Sequence, residues 1–136
     1  MRTYDQLRLS LLTEFKLKAE PHLRSLWGDL MALEAASDES ALFVARGQAF
    51  RRLLALSSAA GAANAQQVRS LSRALRLLVT TTTQVRDAGN YEVFDALYKK
   101  ARELTGALYA IKAAPPPLSE PKRQPAETAF VKFSAN

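Results

Sequence analysis

Apolar residues in the first third of the chain return at steps of three and four: Leu12, Phe15, Ala19, Leu23, Leu26, Leu30 and Leu33. That spacing is the period of one helix face. Pro21 interrupts the series without shifting its phase. A proline inside a helix removes an amide donor, so the pattern predicts either a kink or a short first helix followed by a second with Pro21 in its first turn. The run Ala35-Ala36-Ser37-Asp38-Glu39-Ser40 reads as a turn and an N-cap, because short oxygen side chains accept the free amides of a helix start. The next helix is predicted from about residue 38 to 60, with Leu42, Ala45, Ala49, Leu53, Leu56 and Ala60 on its core face.

Gly61-Ala62-Ala63-Asn64 is expected to close that helix, with Asn64 capping the following one. A segment from 65 to about 85 places Val68, Leu71, Leu75, Leu78 and Val79 on one side. Its last turns, Thr80-Thr81-Thr82-Thr83, are β-branched and weaken the helix locally. Asp87-Ala88-Gly89-Asn90 is a turn, and a last helix over about 91–112 carries Phe94, Leu97, Ala101, Leu104, Leu108 and Ile111. From Ala114 the character changes to a proline-rich, polar stretch, which cannot bury enough surface to offset its ordering. The pattern therefore predicts an all-α, antiparallel bundle of four to five helices over residues 3–113. A disordered tail, 114–136, follows it and ends in the apolar tip Ala129-Phe130-Val131-Lys132-Phe133.

Composition narrows the chemistry. The chain has no cysteine and a single histidine, His22. That excludes disulfides and thiolate chemistry, leaves zinc with few usual ligands, and fits a reducing compartment. A serine–histidine–acid arrangement has only His22 to draw on, and no serine and acid are placed beside it by the sequence. The glycines form neither a dinucleotide fingerprint nor a phosphate loop. No catalytic residue, metal site or cofactor is expected. No apolar run approaches the roughly 18 residues of a membrane span, so the expected setting is cytoplasmic, away from membranes. The net charge of +6, from 19 Lys and Arg against 13 Asp and Glu, favours an acidic partner surface without choosing one.

One segment is more specific. In Phe50-Arg51-Arg52-Leu53-Leu54-Ala55-Leu56-Ser57-Ser58, followed by small residues to Asn64 and then Val68, the order resembles the signature of histidine-phosphotransfer domains. Phe50 and Arg51 match the pair four and three residues before the family's phosphorylated histidine. Leu56 matches its buried leucine, Ser58 stands in for a glycine, Asn64 for the turn glycine, and Val68 for the next core position. Leu54 occupies the histidine position and Ser57 that of a lysine. The likeness extends through helix order over roughly residues 10–110. A leucine cannot accept a phosphoryl group, so the resemblance implies a phosphotransfer fold without phosphotransfer.

On a helical wheel Leu54 lies away from the core face, on a side shared with Phe43, Gly47, Phe50, Arg51, Ser58 and Gly61. Apolar groups outside a core mark a partner site. Arg69, Arg73 and Arg76, outward on the following helix, would join Arg51 and Arg52 as a basic flank suited to the acidic pocket of a receiver domain. The expected function is a non-catalytic protein-binding module that docks a receiver domain or histidine kinase through Phe43, Phe50, Arg51, Leu54 and Ser58, assisted by Arg69 and Arg73. Two other readings remain: a helical adaptor or assembly factor working through its tail tip, and a basic nucleic-acid-binding bundle. The last is the weakest, since the basic residues are spread over several helices with no groove-reading motif.

Overall fold

The computed structural model describes residues 3–112, and the expected tail, with its apolar tip, lies outside the described residues. The described residues form an all-α bundle of four helices: α1 (Tyr4–Ala35), α2 (Glu39–Ala62), α3 (Gln66–Thr80) and α4 (Tyr91–Tyr109). Each packs on its two neighbours in cyclic order, α1 on α2 and α4, α3 on α2 and α4. Side chains that meet across the seams run in opposite directions along their helices. Arg46 reaches Thr82 while Phe50 meets Arg76, and Glu34 reaches Tyr98 while Trp27 meets Thr105. Neighbours are therefore antiparallel, as in an up-down-up-down bundle.

The core is the one that the sequence period predicts. Leu42, Ala45, Ala49, Leu53, Leu56 and Ala60 of α2 are all buried, as are Phe15, Ala19, Leu23, Leu26, Leu30 and Leu33 of α1. Leu75, Phe94, Leu97, Leu104 and Leu108 complete the interior. Each fully buried leucine or phenylalanine contributes about 1.5–3 kcal/mol relative to exposure. Leu12, Leu71, Leu78 and Ile111 are only partly buried at its margin.

Three boundaries differ from expectation in whole or in part. Of the two outcomes open at Pro21, the second helix is ruled out: α1 runs unbroken from Tyr4 to Ala35 with the proline inside it. Residues before and after it, Phe15 and Ala19, then Leu23 and Leu26, are buried in the same core. Their burial outweighs the ~3 kcal/mol penalty of an interior proline. Asn64 does not cap α3; that place falls to Ala65, which has no side-chain cap bond. Asn64 instead takes the left-handed conformation, φ 60°, that ends α2. The amide of Ala65 donates to the Ala60 carbonyl at 2.8 Å, and that of Asn64 to Gly61 at 3.1 Å, the paired bonds of a Schellman ending. Gly61 remains inside the helix.

The third difference is the end of α3, at Thr80 rather than near 85. The hydroxyls of Thr80 and Thr81 donate back to the carbonyls of Leu77 and Leu78 at 2.6 and 2.7 Å. Threonine hydroxyls thus occupy the acceptors that a continuing helix would use. One expected cap and one expected turn are present. Asp38 accepts from the Ala41 amide at 2.8 Å, and Asp87 accepts from Gly89 and Asn90 in a short 3-10 turn, Ala88–Asn90. At the other end of the chain, Thr3 and Gln6 close a reciprocal capping box on α1.

Candidate functional site

The outward side of α2 carries a stripe at helical spacing: Gly47, Arg51, Leu54, Ser58 and Gly61. Leu54 is 44% exposed, whereas Leu53 beside it is fully buried. Arg51 and Ser58, one turn to either side, are exposed as well. Ser57, at the position where the resembled family has a lysine, is buried, and its hydroxyl donates to the Leu54 carbonyl at 3.1 Å.

Glycines at the two ends of the stripe make room for guanidinium groups. A Cβ on Gly47 would lie 3.3 Å from an Arg51 terminal nitrogen, and one on Gly61 would lie 3.4 Å from Nε of Arg69. Arg51 therefore folds back along its own helix, and Arg69 reaches across from α3. Arg76 also crosses the seam and lies over the Phe50 ring, 5.6 Å from its centroid, a cation–π arrangement. Arg73, between them on α3, is exposed. The expected outward stripe on α3 is thus corrected for Arg69 and Arg76, which lean onto α2 and are partly buried. Together with Arg51 they bracket Leu54 and Ser58.

Beyond Phe50 the seam opens into a depression of about 450 Å³ lined by Phe43, Arg46, Gly47, Phe50, Arg51, Thr80 and Thr83. Phe43 is 68% exposed, with the Arg46 guanidinium 5.7 Å from its ring centroid. Arg46 also donates to the Thr82 carbonyl at 2.9 Å, tying α2 to the segment after α3. The structure thus gathers Phe43, Phe50 and Arg51 around one depression, with Leu54, Ser58, Arg69 and Arg73 along the same side. Sequence reasoning did not single out Arg46. Its signal was its place three residues after Phe43 and four before Phe50, where it reaches both rings' surroundings on one helix face.

Arg52 does not belong to the basic flank. It turns toward α1, where its Nε pairs with Asp29 at 2.7 Å and a terminal nitrogen stands 3.5 Å from Nδ1 of His22. Adjacent residues on a helix point about 100° apart, and the core boundary falls between these two arginines. His22 itself is exposed. Among the described residues the ion pairs are Lys18–Glu14, Arg52–Asp29, Arg86–Glu34 and Lys100–Glu103. None of these involves Arg51, Arg69, Arg73 or Arg76, so the seam presents net positive charge beside apolar groups. Also among the described residues, no group of three or more His, Asp or Glu is gathered closely enough to hold a metal ion. No helix there is long and apolar enough to cross a membrane.

The most perturbed titratable group lies on the opposite side. Burial, together with a 2.7 Å hydrogen bond to Glu34 and that carboxylate's charge, pushes the Tyr98 phenol up to about 12, with Arg86 opposing. Trp27 stacks on Tyr98 at 5.9 Å and donates to Thr105 at 3.0 Å. This cluster joins α1 to α4 and the residues before it, and it faces no cavity among those described above. Compared with known proteins, the chain matches no protein-family model, no curated protein and no solved structure.

Proposed function

We propose that this chain is a non-catalytic binding module of histidine-phosphotransfer type, which docks a receiver domain or histidine kinase of a two-component system through the α2–α3 face. The observation that carries the reading is Leu54. A leucine stands exposed where the resembled family bears its phosphoacceptor, bracketed by Arg51 and Arg69 and continuous with Phe43 and Phe50. An apolar centre rimmed by cations is the complement of a receiver domain's acidic pocket. The apolar part supplies affinity and the arginines supply steering and register. With leucine in place of histidine no phosphoryl group is accepted, so the module competes with, sequesters or scaffolds its partner.

Capture from the native organism's lysate with wild type and Leu54→Asp side by side tests this. Capture of a response regulator or kinase by wild type, lost with Leu54→Asp, is the expected result. Retention of the same partner by both would remove Leu54 from the contact. Absence of any two-component protein from either capture would overturn the reading. Because Leu54 is half exposed, the variant remains folded and the comparison is interpretable.

A further inference from the structure

We propose that the groove between the first half of α1 and the second half of α2 is the intramolecular seat of this chain's own tip, Phe130 to Phe133. The seat does not depend on what binds the α2–α3 face.

The groove is a cavity of about 430 Å³ whose walls include Leu11, Phe15 and Ala19 of α1 and Ala55, Ala59 and Ala62 of α2. The alanines recur at four and three residues along α2, so one side of the groove has no side chain long enough to fill it. At the end nearer the start of α1 it continues into a smaller hollow lined by Tyr4, Leu7, Leu11, Ala62 and Ala63. Tyr4, Leu7 and Leu11 are 76, 48 and 45% exposed. An apolar trough of this length on a domain of this size marks a contact surface.

The exit of the chain selects the occupant. Lys16 Nζ donates to the carbonyls of Tyr109 and Ile111 at 3.4 and 3.2 Å, fastening the end of α4 to the first half of α1. Ile111 and Lys112 line a cavity with Arg8, Leu9 and Leu12, so the chain leaves beside the helix that forms one wall of the groove. Phe130 stands 18 positions beyond Lys112, a span of up to ~60 Å at about 3.3 Å per residue. From Arg8 to His22, at the far end of the groove, is ~21 Å at 1.5 Å rise per residue. The tip reaches every part of the groove.

Residues 113–136 hold two of the chain's six phenylalanines, and both lie in the tip with Val131 between them. Tethering gives a segment of this length an effective concentration on the order of millimolar, so a weak intrinsic contact suffices. Lys132 also comes within reach of Glu14 on the rim, whose exposed pair with Lys18 is easily exchanged.

The absence of cysteine allows a clean test on the full chain. A spin label on Ser134→Cys should broaden away the amide signals of Leu11, Ala55, Ala59 and Ala62 and leave those of Lys99 and Arg102 on α4 intact. Ala59→Glu, at an exposed position, should restore the lost signals. Phe130→Ser with Phe133→Ser should do the same. Mixing spin-labelled Ser134→Cys chain that carries no isotope label with isotope-labelled wild-type chain, which has no cysteine, should transfer no broadening. Transfer in the mixture would assign the groove to a second copy and overturn the proposal. Broadening that is absent, lies elsewhere, or survives both variants would overturn it as well.

Discussion

Gly47 and Arg51 stand one turn apart on α2, and the guanidinium of Arg51 folds back to within 3.3 Å of where a Gly47 side chain would begin. Gly47 lies in the helix interior with no positive φ, so no backbone conformation calls for glycine there. Its value is the space it gives the arginine. Gly47→Ala should therefore raise stability by about 0.5–1 kcal/mol through helix propensity, while shifting the Arg51 head and weakening partner binding. Denaturant titration and calorimetry on the same variant read the two effects. A variant that is more stable and binds equally well would show that Arg51 placement is unimportant.

Leu53 and Leu54 are adjacent and should respond oppositely to truncation. Leu53 is fully buried, so Leu53→Ala should cost about 2–5 kcal/mol by leaving a cavity. Leu54→Ala should cost under ~1 kcal/mol, in keeping with an exposed surface position. Urea denaturation of both variants measures the contrast.

That contrast also marks how far the sequence carries. A hydrophobic period assigns a residue to a face, and every residue assigned to the α2 core is buried. The period does not foresee what a long cation does once outside the core. Arg51 and Arg52 look alike in sequence, yet one folds over Gly47 while the other pairs with Asp29 on α1. Arg46 was illegible for the same reason, since its partners, the Phe43 ring and the Thr82 carbonyl, are fixed by how α2 meets the segment after α3. Boundaries failed where two local signals competed. Pro21 left a kink or a break open, and burial on both sides decided against the break. Asn64 was read as the start of the next helix, but with Gly61 kept inside α2 it takes the left-handed ending that a glycine often supplies. The Leu54 position itself was legible because it depends only on the phase of one helix.

The Tyr98 phenol predicts a distinct alkaline behaviour. It is raised to about 12 in the folded chain against about 10 in the unfolded one. Between those values the folded state holds the proton more tightly, so the stabilisation present below pH 10 is lost as pH rises toward 12. In Tyr98→Phe this component of the loss should vanish. At neutral pH the same variant should be less stable by about 1–2 kcal/mol through the missing bond to the Glu34 carboxylate. Thermal unfolding of both proteins across that range checks the sign.

Ser72 is completely buried on α3, and its hydroxyl has no hydrogen-bond partner. A buried polar group left unpaired is costly, and alanine is also the better helix former. Ser72→Ala should stabilise the bundle by about 1 kcal/mol, seen as a higher denaturant midpoint with an unchanged slope.

Pro21 has a consequence for how the molecule opens. Without an amide proton it offers nothing to the carbonyl of Leu17, four residues back, and Leu17 is 67% exposed. The turn around that carbonyl is the point at which α1 is least held by its own backbone. The stretch of α1 before it is held in the core by Phe15, with Leu12 at the margin and Tyr4, Leu7 and Leu11 burying little, whereas the stretch after it is anchored by Leu23, Leu26, Leu30 and Leu33. The two stretches should therefore form separate exchange units. Amides ahead of the proline should trade their protons for deuterium through a local fraying, and those beyond it only when the whole bundle comes apart.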